Sequence, residues 1–282
     1  MQSSIIDWWH DPIDSNEPYK HSGKLNTLIF RPNVIYGLSN KLNLLLSTQI
    51  GLRSMVYQKG SSIHHRSEST FENFNNANPG WLGDSKIILR YLARNDGMGE
   101  GLRVIYGGGL SIPSNSVLTS DPFFLNGDEK TDHRHFSLST GSYKYIIETQ
   151  LFFKQPANPV FYGGFLTYEH PIDENEYSYI PPPILNLSLS ATFKRFDERD
   201  SSIGYGLGIL QSGQGYWNEI KEPNSKSLSI APTLSYLVNS RFGALSFNIS
   251  KPIFLEGSFY ASEGNLGQGS NIWQLTVSLR KV

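Results

Sequence analysis

Cysteine is absent from this chain of 282 residues, and charged residues are scarce, at 17% of the sequence. The lack of cysteine excludes disulfides, thiolate metal sites and cysteine nucleophiles together. An average soluble domain carries about 25% charged residues, so this chain has too little charge for an ordinary water-exposed surface. Long apolar runs are lacking as well, since none approaches the ~18 residues that a membrane-spanning helix requires.

The net charge is also small, because 24 Lys and Arg residues oppose 25 Asp and Glu residues. The chain therefore lacks the positive field that attracts nucleic acid, and nucleic acid is not an expected partner. Two glycine-rich stretches, residues 107–109 and 204–208, lack the helix start and the Lys-Ser/Thr pair that follow a phosphate-binding loop. We therefore expect these glycines to be structural, and no cofactor is expected.

What the sequence does contain is a repeated alternation of apolar and polar residues, in segments of about ten residues separated by Gly, Asn, Asp, Ser and Pro. In the last segment the apolar side chains share one face, and they are Trp273, Leu275, Val277 and Leu279. The alternation predicts about eleven strands, at residues 28–37, 41–57, 84–94, 101–112, 143–154, 159–169, 185–194, 202–210, 226–238, 242–251 and 273–280. The chain is therefore expected to be all β.

The links between these strands alternate in length. The short links are residues 37–41, 95–101, 155–159, 196–201 and 238–242. The long links are residues 58–82, 113–142, 170–183, 211–225 and 252–270. Short turns at one end and long loops at the other are typical of outer-membrane barrels, whose short turns are periplasmic and whose long loops are extracellular.

An even strand number and two periplasmic chain ends require one more strand near the start of the chain. We place it within residues 3–10, with a segment that plugs the lumen as the alternative for residues 1–24. The expected fold is a single domain over residues 1–282, in which residues 25–282 form the barrel. In full, we expect a closed antiparallel up-and-down transmembrane β-barrel of about twelve strands.

The polar faces of the strands favour a membrane barrel over a soluble β-protein. They consist mostly of Ser, Thr, Asn, Gln and Gly, which suit a wet lumen, whereas a soluble sandwich would present Lys and Glu to water. Aromatic residues near the strand ends suit interfacial girdles. We therefore expect a bacterial outer-membrane protein whose leader has been removed, with lipid and a small solute as partners and a monomeric state. Its end, Arg280-Lys281-Val282, departs from the terminal aromatic residue of many such proteins.

Residues 83–114 carry a resemblance to a known family. The segment starts with Gly83-Asp84 and an alternating strand, continues through a turn to a glycine-rich strand, and ends in a turn with Pro113-Ser114. This hairpin, with Ser139-Thr140-Gly141 before a later strand, resembles the outer-membrane transporter family that includes the phenol-degradation meta-pathway barrels. The resemblance runs loosely from about residue 25 to the end and departs at Asn115, where a Gly is common. It implies passive transport of small, often apolar or aromatic compounds.

The strand alternation also predicts which charged residues point into the lumen. These residues are Arg31, Arg53, Lys86, Arg90, Arg103, Lys144, Glu148, Lys194 and Arg280. Because Arg and Lys rings favour anions, the sequence predicts a solute pathway with a preference for anions. The alternative is that acidic residues of the long loops fold inward and neutralise these cations.

Most of the seven histidines fall in or beside the long links. We consider a metal site formed by His21, His64, His65, His133 and His135, because imidazole binds Zn²⁺, Cu²⁺ and Ni²⁺. The alternative function is thus a surface-exposed barrel that binds metal or a partner through its loops without transport. The structural alternative is that these histidines form hydrogen bonds with their neighbours in the loops.

An enzymatic function is not expected. A hydrolase would need a nucleophile beside an activated histidine. The nearest candidates combine Asp132-His133 with Ser137 or Ser139, or His64-His65 with Ser67 or Ser69, and no third partner stands at a suitable spacing.

Overall fold

A computed structural model of the chain describes residues 1–11, 21–58, 66–97, 99–125, 132–194, 201–258 and 267–281. Within these residues the structure contains nineteen strands and no helix that is long and apolar enough to cross a membrane. The strands are β1 (Gln2–His10), β2 (His21–Phe30), β3 (Asn33–Gly37), β4 (Leu42–Ser47), β5 (Ile50–Tyr57), β6 (Glu68–Ser69), β7 (Ser85–Asn95), β8 (Gly101–Ile112), β9 (Lys144–Lys154), β10 (Phe161–Pro171), β11 (Tyr179–Ile180), β12 (Ile184–Lys194), β13 (Ser201–Ser212), β14 (Tyr216–Trp217), β15 (Ile220–Lys221), β16 (Ser227–Ser240), β17 (Gly243–Ser250), β18 (Ile253–Glu256) and β19 (Gln268–Arg280).

Sixteen of the strands form one antiparallel sheet. Its order is β3-β4-β7-β8-β9-β10-β12-β13-β16-β17-β19-β1-β2-β5-β6, and β18 pairs with β16. Strands that follow one another in sequence are mostly neighbours, which is the up-and-down arrangement that the link lengths predict. β1 lies between β19 and β2, with Ile5 opposite both Trp273 and Asn26. Residues 2–10 therefore form a strand, and the two ends of the chain lie side by side.

The expectation of about twelve strands is wrong, because the described residues contain nineteen. The segment predicted as one strand over residues 28–37 breaks at Arg31 and Pro32, where proline has no N–H to donate to a neighbouring strand. The segment predicted over residues 41–57 breaks at Thr48 and Gln49. The further strands β6, β11, β14, β15 and β18 are short and lie in the long links.

The expected closure of the barrel is not seen in the hydrogen bonds. The two ends of the sheet order, β3 and β6, are not paired with each other in the part of the chain that the structure describes. The break at residues 31–32 separates β2, which pairs with β5, from β3, which pairs with β4. The break at residues 48–49 separates β4 from β5 at the same level of the sheet.

The two faces of the sheet have opposite characters, and their polarity is the reverse of a soluble protein. On the outer face large apolar side chains are exposed, such as Trp273 at 51% and Ile147 at 56%. On the inner face charged and polar side chains are buried, such as Glu148 at 2% and Gln150 at 8%. Ile147 and Glu148 are consecutive residues of β9, so the pleat alone directs one outward and the other inward.

Residues 66–84, which we call the edge segment, lie beside β5. β7 pairs with β4 and does not extend along β5. β6 pairs with β5 within this segment, and the Gly51 N–H donates to the carbonyl of Trp81 at 2.8 Å. The Gly83 N–H donates to the carbonyl of Gln49, also at 2.8 Å. The edge segment thereby forms hydrogen bonds with backbone groups of β5 and of the preceding Gln49, on the side where no long strand pairs with them.

Residues 113–125 and 132–143, which we call the inner segment, pack against the inner face. Leu138 is buried against β5 at Gly51, where a Cβ atom would lie 2.7 Å from Leu138 Cδ2. Glycine is needed at that position because the inner segment approaches the strand so closely. The Asn78 N–H donates to the carbonyl of Val117 at 2.9 Å, which ties the inner segment to the edge segment.

Candidate functional site

The inner face is divided into a neutral part and a charged part. In β12, β13, β16, β17 and β19 the charged residues are Lys194 and Arg280, each the last residue of its strand. Small polar side chains satisfy one another there, and Ser235 Oγ donates to Asn248 Oδ1 at 2.6 Å. The charged part lies on β4 to β10 and the adjoining links, so the candidate site is confined to that side.

Three cations of the charged part are paired with carboxylates. Lys86 Nζ binds Glu169, and Lys144 Nζ lies 3.4 Å from Asp84 Oδ2. Arg90 binds Glu148 with two hydrogen bonds, of which the one from Nη2 to Oε2 is 3.0 Å long. These carboxylates come from the wall strands and the start of β7.

Asp84 and Glu169 were missed by the sequence reasoning, which placed only Glu148 among acids in the lumen. Glu169 is in phase with Thr167 and Phe165 on the polar side of β10, so the alternation does contain a signal for it. Asp84 precedes the first residue of β7, but in the strand predicted over residues 84–94 it is in phase with Lys86 and Arg90, so its signal was present as well.

Glu148 requires a glycine beside it. Its side chain crosses over Gly107 of β8, the residue directly opposite, and a Cβ atom at Gly107 would overlap Glu148 Cγ. Gln150 Nε2 donates to Glu148 Oε1 at 3.0 Å. Gly107, in the strand that the sequence identifies as glycine-rich, therefore leaves room for a buried carboxylate and its arginine.

Arg31 and Arg53 differ from the paired cations. Arg31 donates to Gln2 Oε1 at 2.9 Å and to Gln49 Oε1 at 3.3 Å. Arg53 Nη1 donates to the carbonyl of Ser137 at 2.6 Å. Neither makes an ion pair with a carboxylate among the described residues, so both keep a net positive charge on the inner face.

The remaining predicted cations lie at the end of the sheet where the turns are short. Arg103 donates to Asn95 Oδ1 at 3.1 Å and to the carbonyl of Gly97. Lys194 and Arg280 are exposed at the ends of β12 and β19. The structure thus brings together Arg53, Lys86 and Lys144, and it places Arg103, Lys194 and Arg280 away from them.

A cavity of about 300 Å³ lies where these charges meet the inner segment. It is open on one side and is lined by the junction of β4 and β5, the start of β7, the first residue of β9, the end of β10 and residues 137–140. The lining residues are Gln49, Arg53, Asp84, Lys86, Ser137, Leu138, Ser139, Thr140, Lys144 and Glu169.

A buried ion pair fastens the inner segment to the edge segment. Arg134 Nε lies 3.3 Å from Glu68 Oε2, and both side chains are almost fully buried. Arg134 also donates to the carbonyls of Ser69 and Glu72, and its guanidinium lies 5.2 Å from the ring centre of Phe74.

The predicted histidine site is divided between three places. His21 is buried beside His10, with ring centres 4.8 Å apart. His133 and His135 lie together in the inner segment, with their Nε2 atoms 2.8 Å apart. His64 and His65 lie outside the described residues.

Within the described ranges no group of three or more His, Cys, Asp and Glu side chains is arranged to hold a metal ion. Two imidazoles supply fewer ligands than the three or four of common zinc sites. Metal binding therefore stays a prediction, and the described part offers two separate imidazole pairs for it, His10 with His21 and His133 with His135.

Strands β11, β14 and β15 form a small cap in the long links. Tyr179 stacks on the buried Trp217 with ring centres 4.4 Å apart, and Tyr179 Oη donates to Glu222 Oε2 at 3.0 Å. Burial raises the pKa of Glu222 to about 7, and the charge of Asp121 adds to the shift. The folded protein therefore retains a proton at Glu222 that the unfolded chain releases above its usual pKa of about 4.5.

This retained proton predicts a pH dependence of stability. The contribution of Glu222 is complete below about pH 4.5 and is lost as the pH rises through about 7, a change of up to about 3 kcal/mol in the free energy of unfolding. We expect Glu222→Gln to flatten the decrease between pH 5 and pH 8, measured by urea unfolding in lipid vesicles. Glu219→Gln, at an exposed residue of the same cap, should leave the slope unchanged. Equal slopes in the wild type and in Glu222→Gln would contradict the assignment.

Comparison with known proteins gives the fold a precedent. No known protein family and no curated protein matches the sequence. Among solved structures, the chain is similar to the COG4313 outer membrane channel from Pseudomonas putida F1, with a TM-score of 0.57, 12% identity, and coverage of 98% of this chain and 95% of that one. The chain shares its fold with an outer-membrane channel.

Two further structures are more distant. The NanC porin covers 99% of this chain and 100% of its own at 9% identity, with a TM-score of 0.42. OmpT of Vibrio cholerae covers 98% of both chains at 8% identity, with a TM-score of 0.36. These two scores are too low to carry an argument. The name of the COG4313 channel does not indicate the phenol-degradation type, so the resemblance holds only at the level of an outer-membrane barrel.

Proposed function

We propose that the protein is a diffusion channel of a bacterial outer membrane for small solutes, with a preference for anions. The observation that carries the proposal is the reversed polarity of the sheet, with large apolar side chains exposed outside and charged and polar side chains buried inside. A soluble monomer rarely exposes so extensive an apolar surface, whereas a lipid-facing wall requires one. The fold shared with an outer-membrane channel supports the same conclusion.

We further propose that the wall closes into a barrel of twelve long strands, if strands that are interrupted by a short break are counted as one. β2 and β3 are then one barrel strand, β4 and β5 another, and β17 and β18 a third. The remaining long strands β1, β7, β8, β9, β10, β12, β13, β16 and β19 then bring the number to twelve. Closure is favoured because a sheet in lipid cannot leave the amides of an edge without partners.

The preference for anions follows from the balance of charges on the inner face. Asp84, Glu148 and Glu169 each neutralise one cation, while Arg31 and Arg53 have no carboxylate partner among the described residues. Uncompensated fixed charge raises the local concentration of the opposite ion. The positive surplus therefore favours anions over cations.

Planar lipid bilayers test the proposal directly. Under a KCl gradient we expect stable openings and a reversal potential of the sign for chloride. Arg31→Gln should lower the permeability ratio of chloride to potassium by roughly twofold, because one of the two unpaired charges is removed. Arg241→Gln, in the exposed turn between β16 and β17, serves as the control and should change the ratio little. A reversal potential of the sign for potassium would contradict the anion preference, and a protein without openings would contradict the channel.

A further inference from the structure

The cavity at Arg53 contains polar groups that have no partner within the described residues. Arg53 Nε, Asp84 Oδ1 and Thr140 Oγ1 are all buried and make no hydrogen bond there. Each belongs to a residue that lines the same cavity. A buried polar group without a partner costs about 1–3 kcal/mol, so such groups are rare and each one needs an explanation.

The three groups differ in what they can bind. Arg53 Nε can only donate, and it requires an acceptor. Asp84 Oδ1 is a carboxylate oxygen that accepts, and Thr140 Oγ1 can do either. A ligand that satisfies all three must therefore carry an acceptor beside Arg53 and a hydroxyl or similar donor beside Asp84.

The charge of the cavity indicates the charge of that ligand. Three cations, Arg53, Lys86 and Lys144, face two carboxylates, Asp84 and Glu169. Both lysines are already paired with those carboxylates, so Arg53 supplies the one surplus charge among the lining residues, and Arg31, which donates to the lining Gln49, lies beside it. A monoanion balances the surplus charge of the lining residues.

The size of the cavity limits the ligand further. A volume of about 300 Å³ is at the lower end of the ~300–1,000 Å³ range of ligand pockets. Arginine forms charge-assisted hydrogen bonds with carboxylates, and its planar fork matches their geometry. The carbonyl of Ser137 already holds one edge of Arg53 through Nη1, so the guanidinium is fixed in place before a ligand arrives.

We propose that this cavity binds a small hydroxylated monocarboxylate, with Arg53 bound to its carboxylate and Asp84 and Thr140 bound to its hydroxyl groups. The proposal rests on the channel function proposed above and names the class of solute for it. Passage through such a site would be saturable, because each solute must replace the previous one at Arg53.

Binding of gluconate to the detergent-solubilised protein tests this proposal. By isothermal titration calorimetry we expect gluconate to bind and the neutral polyol glucitol not to bind. Arg53→Gln should weaken gluconate binding at least tenfold, and Arg53→Lys should weaken it less because the charge is kept. Arg103→Gln, which removes a cation far from the cavity, should bind like the wild type. The different gel mobility of boiled and unboiled samples shows whether each variant is folded.

Three results would overturn the proposal: no binding of gluconate to the wild type, equal binding of gluconate and glucitol, or unchanged binding by both Arg53 variants. In each case the unpaired groups would be explained by water alone. Bilayer recordings separate this failure from failure of the channel. A protein that conducts chloride without binding gluconate keeps its channel function and loses the proposed solute class. A protein that binds gluconate but does not conduct keeps the site and loses the channel.

Discussion

Replacing Arg134 by methionine is expected to increase the single-channel conductance several-fold. Arg134 joins the inner segment to the edge segment through Glu68 and through the carbonyls of Ser69 and Glu72. Removing one partner of a buried ion pair costs about 3–5 kcal/mol, which shifts a local equilibrium by a factor of roughly 10² to 10⁴. Because the inner segment packs against the inner face at Gly51, its release would widen the path for ions.

The same two segments contain a matched control. Arg66 Nε lies 3.2 Å from Asp132 Oδ2, but both side chains are about half exposed. An exposed ion pair contributes only about 0–1 kcal/mol. We therefore expect Arg66→Met to leave the conductance close to that of the wild type. Planar bilayer recordings of the two variants measure the difference, and equal conductances would show that the buried pair does not restrain the inner segment.

The strands of the wall could be predicted from the sequence because their alternation depends on neighbouring residues only. In residues 185–194 of β12 and 273–280 of β19, apolar and polar residues alternate without interruption, and the pleat directs them to opposite faces whatever the rest of the chain does. The strand at residues 2–10 has a weak pattern of its own. It was inferred from the requirement for an even strand number, and its pairing with β19 and β2 agrees with that inference.

The predicted fold is wrong where a tertiary constraint overrides a local sequence pattern. Residues 28–37 alternate well enough to be assigned as one strand, yet Pro32 has no N–H and the strand divides there. The edge segment then takes the place beside β5 that a continuous neighbouring strand would occupy. Nothing in the local sequence of residues 66–84 indicates this position, because their hydrogen bonds are made to Gln49, Gly51 and Arg53.

The candidate site was predictable in its cations but not in their pairing. The alternation identifies Arg53, Lys86 and Lys144 as residues of one face, since each lies in a strand. Of the groups that decide the chemistry of the cavity, Asp84 is in phase with Lys86 in the strand predicted over residues 84–94, whereas Thr140 lies in a link without periodicity. The pair of Arg134 with Glu68 joins residues that are 66 positions apart, and single-sequence patterns contain no signal for such contacts.

Placing an arginine on the outer face of β12 is expected to destabilise the protein far more than placing it one residue later. Leu189 lies in the middle of β12 on the outer face and is 45% exposed. The next residue, Ser190, lies on the inner face opposite Gly163 of β10, and it is exposed as well. In lipid, arginine on the outer wall near the midplane costs about 2–4 kcal/mol, whereas a residue in the lumen meets water.

We therefore expect Leu189→Arg to lower the free energy of unfolding by about 2–4 kcal/mol and Ser190→Arg by less than about 1 kcal/mol. Urea unfolding in lipid vesicles, followed by tryptophan fluorescence, measures both. The two positions are consecutive and exposed and receive the same side chain, so the difference reports only which face meets lipid. Ser190→Arg should in addition increase the preference for anions, because it adds a cation to the neutral part of the inner face. Two equally small losses of stability would mean that water bathes both faces, and the membrane assignment would be wrong.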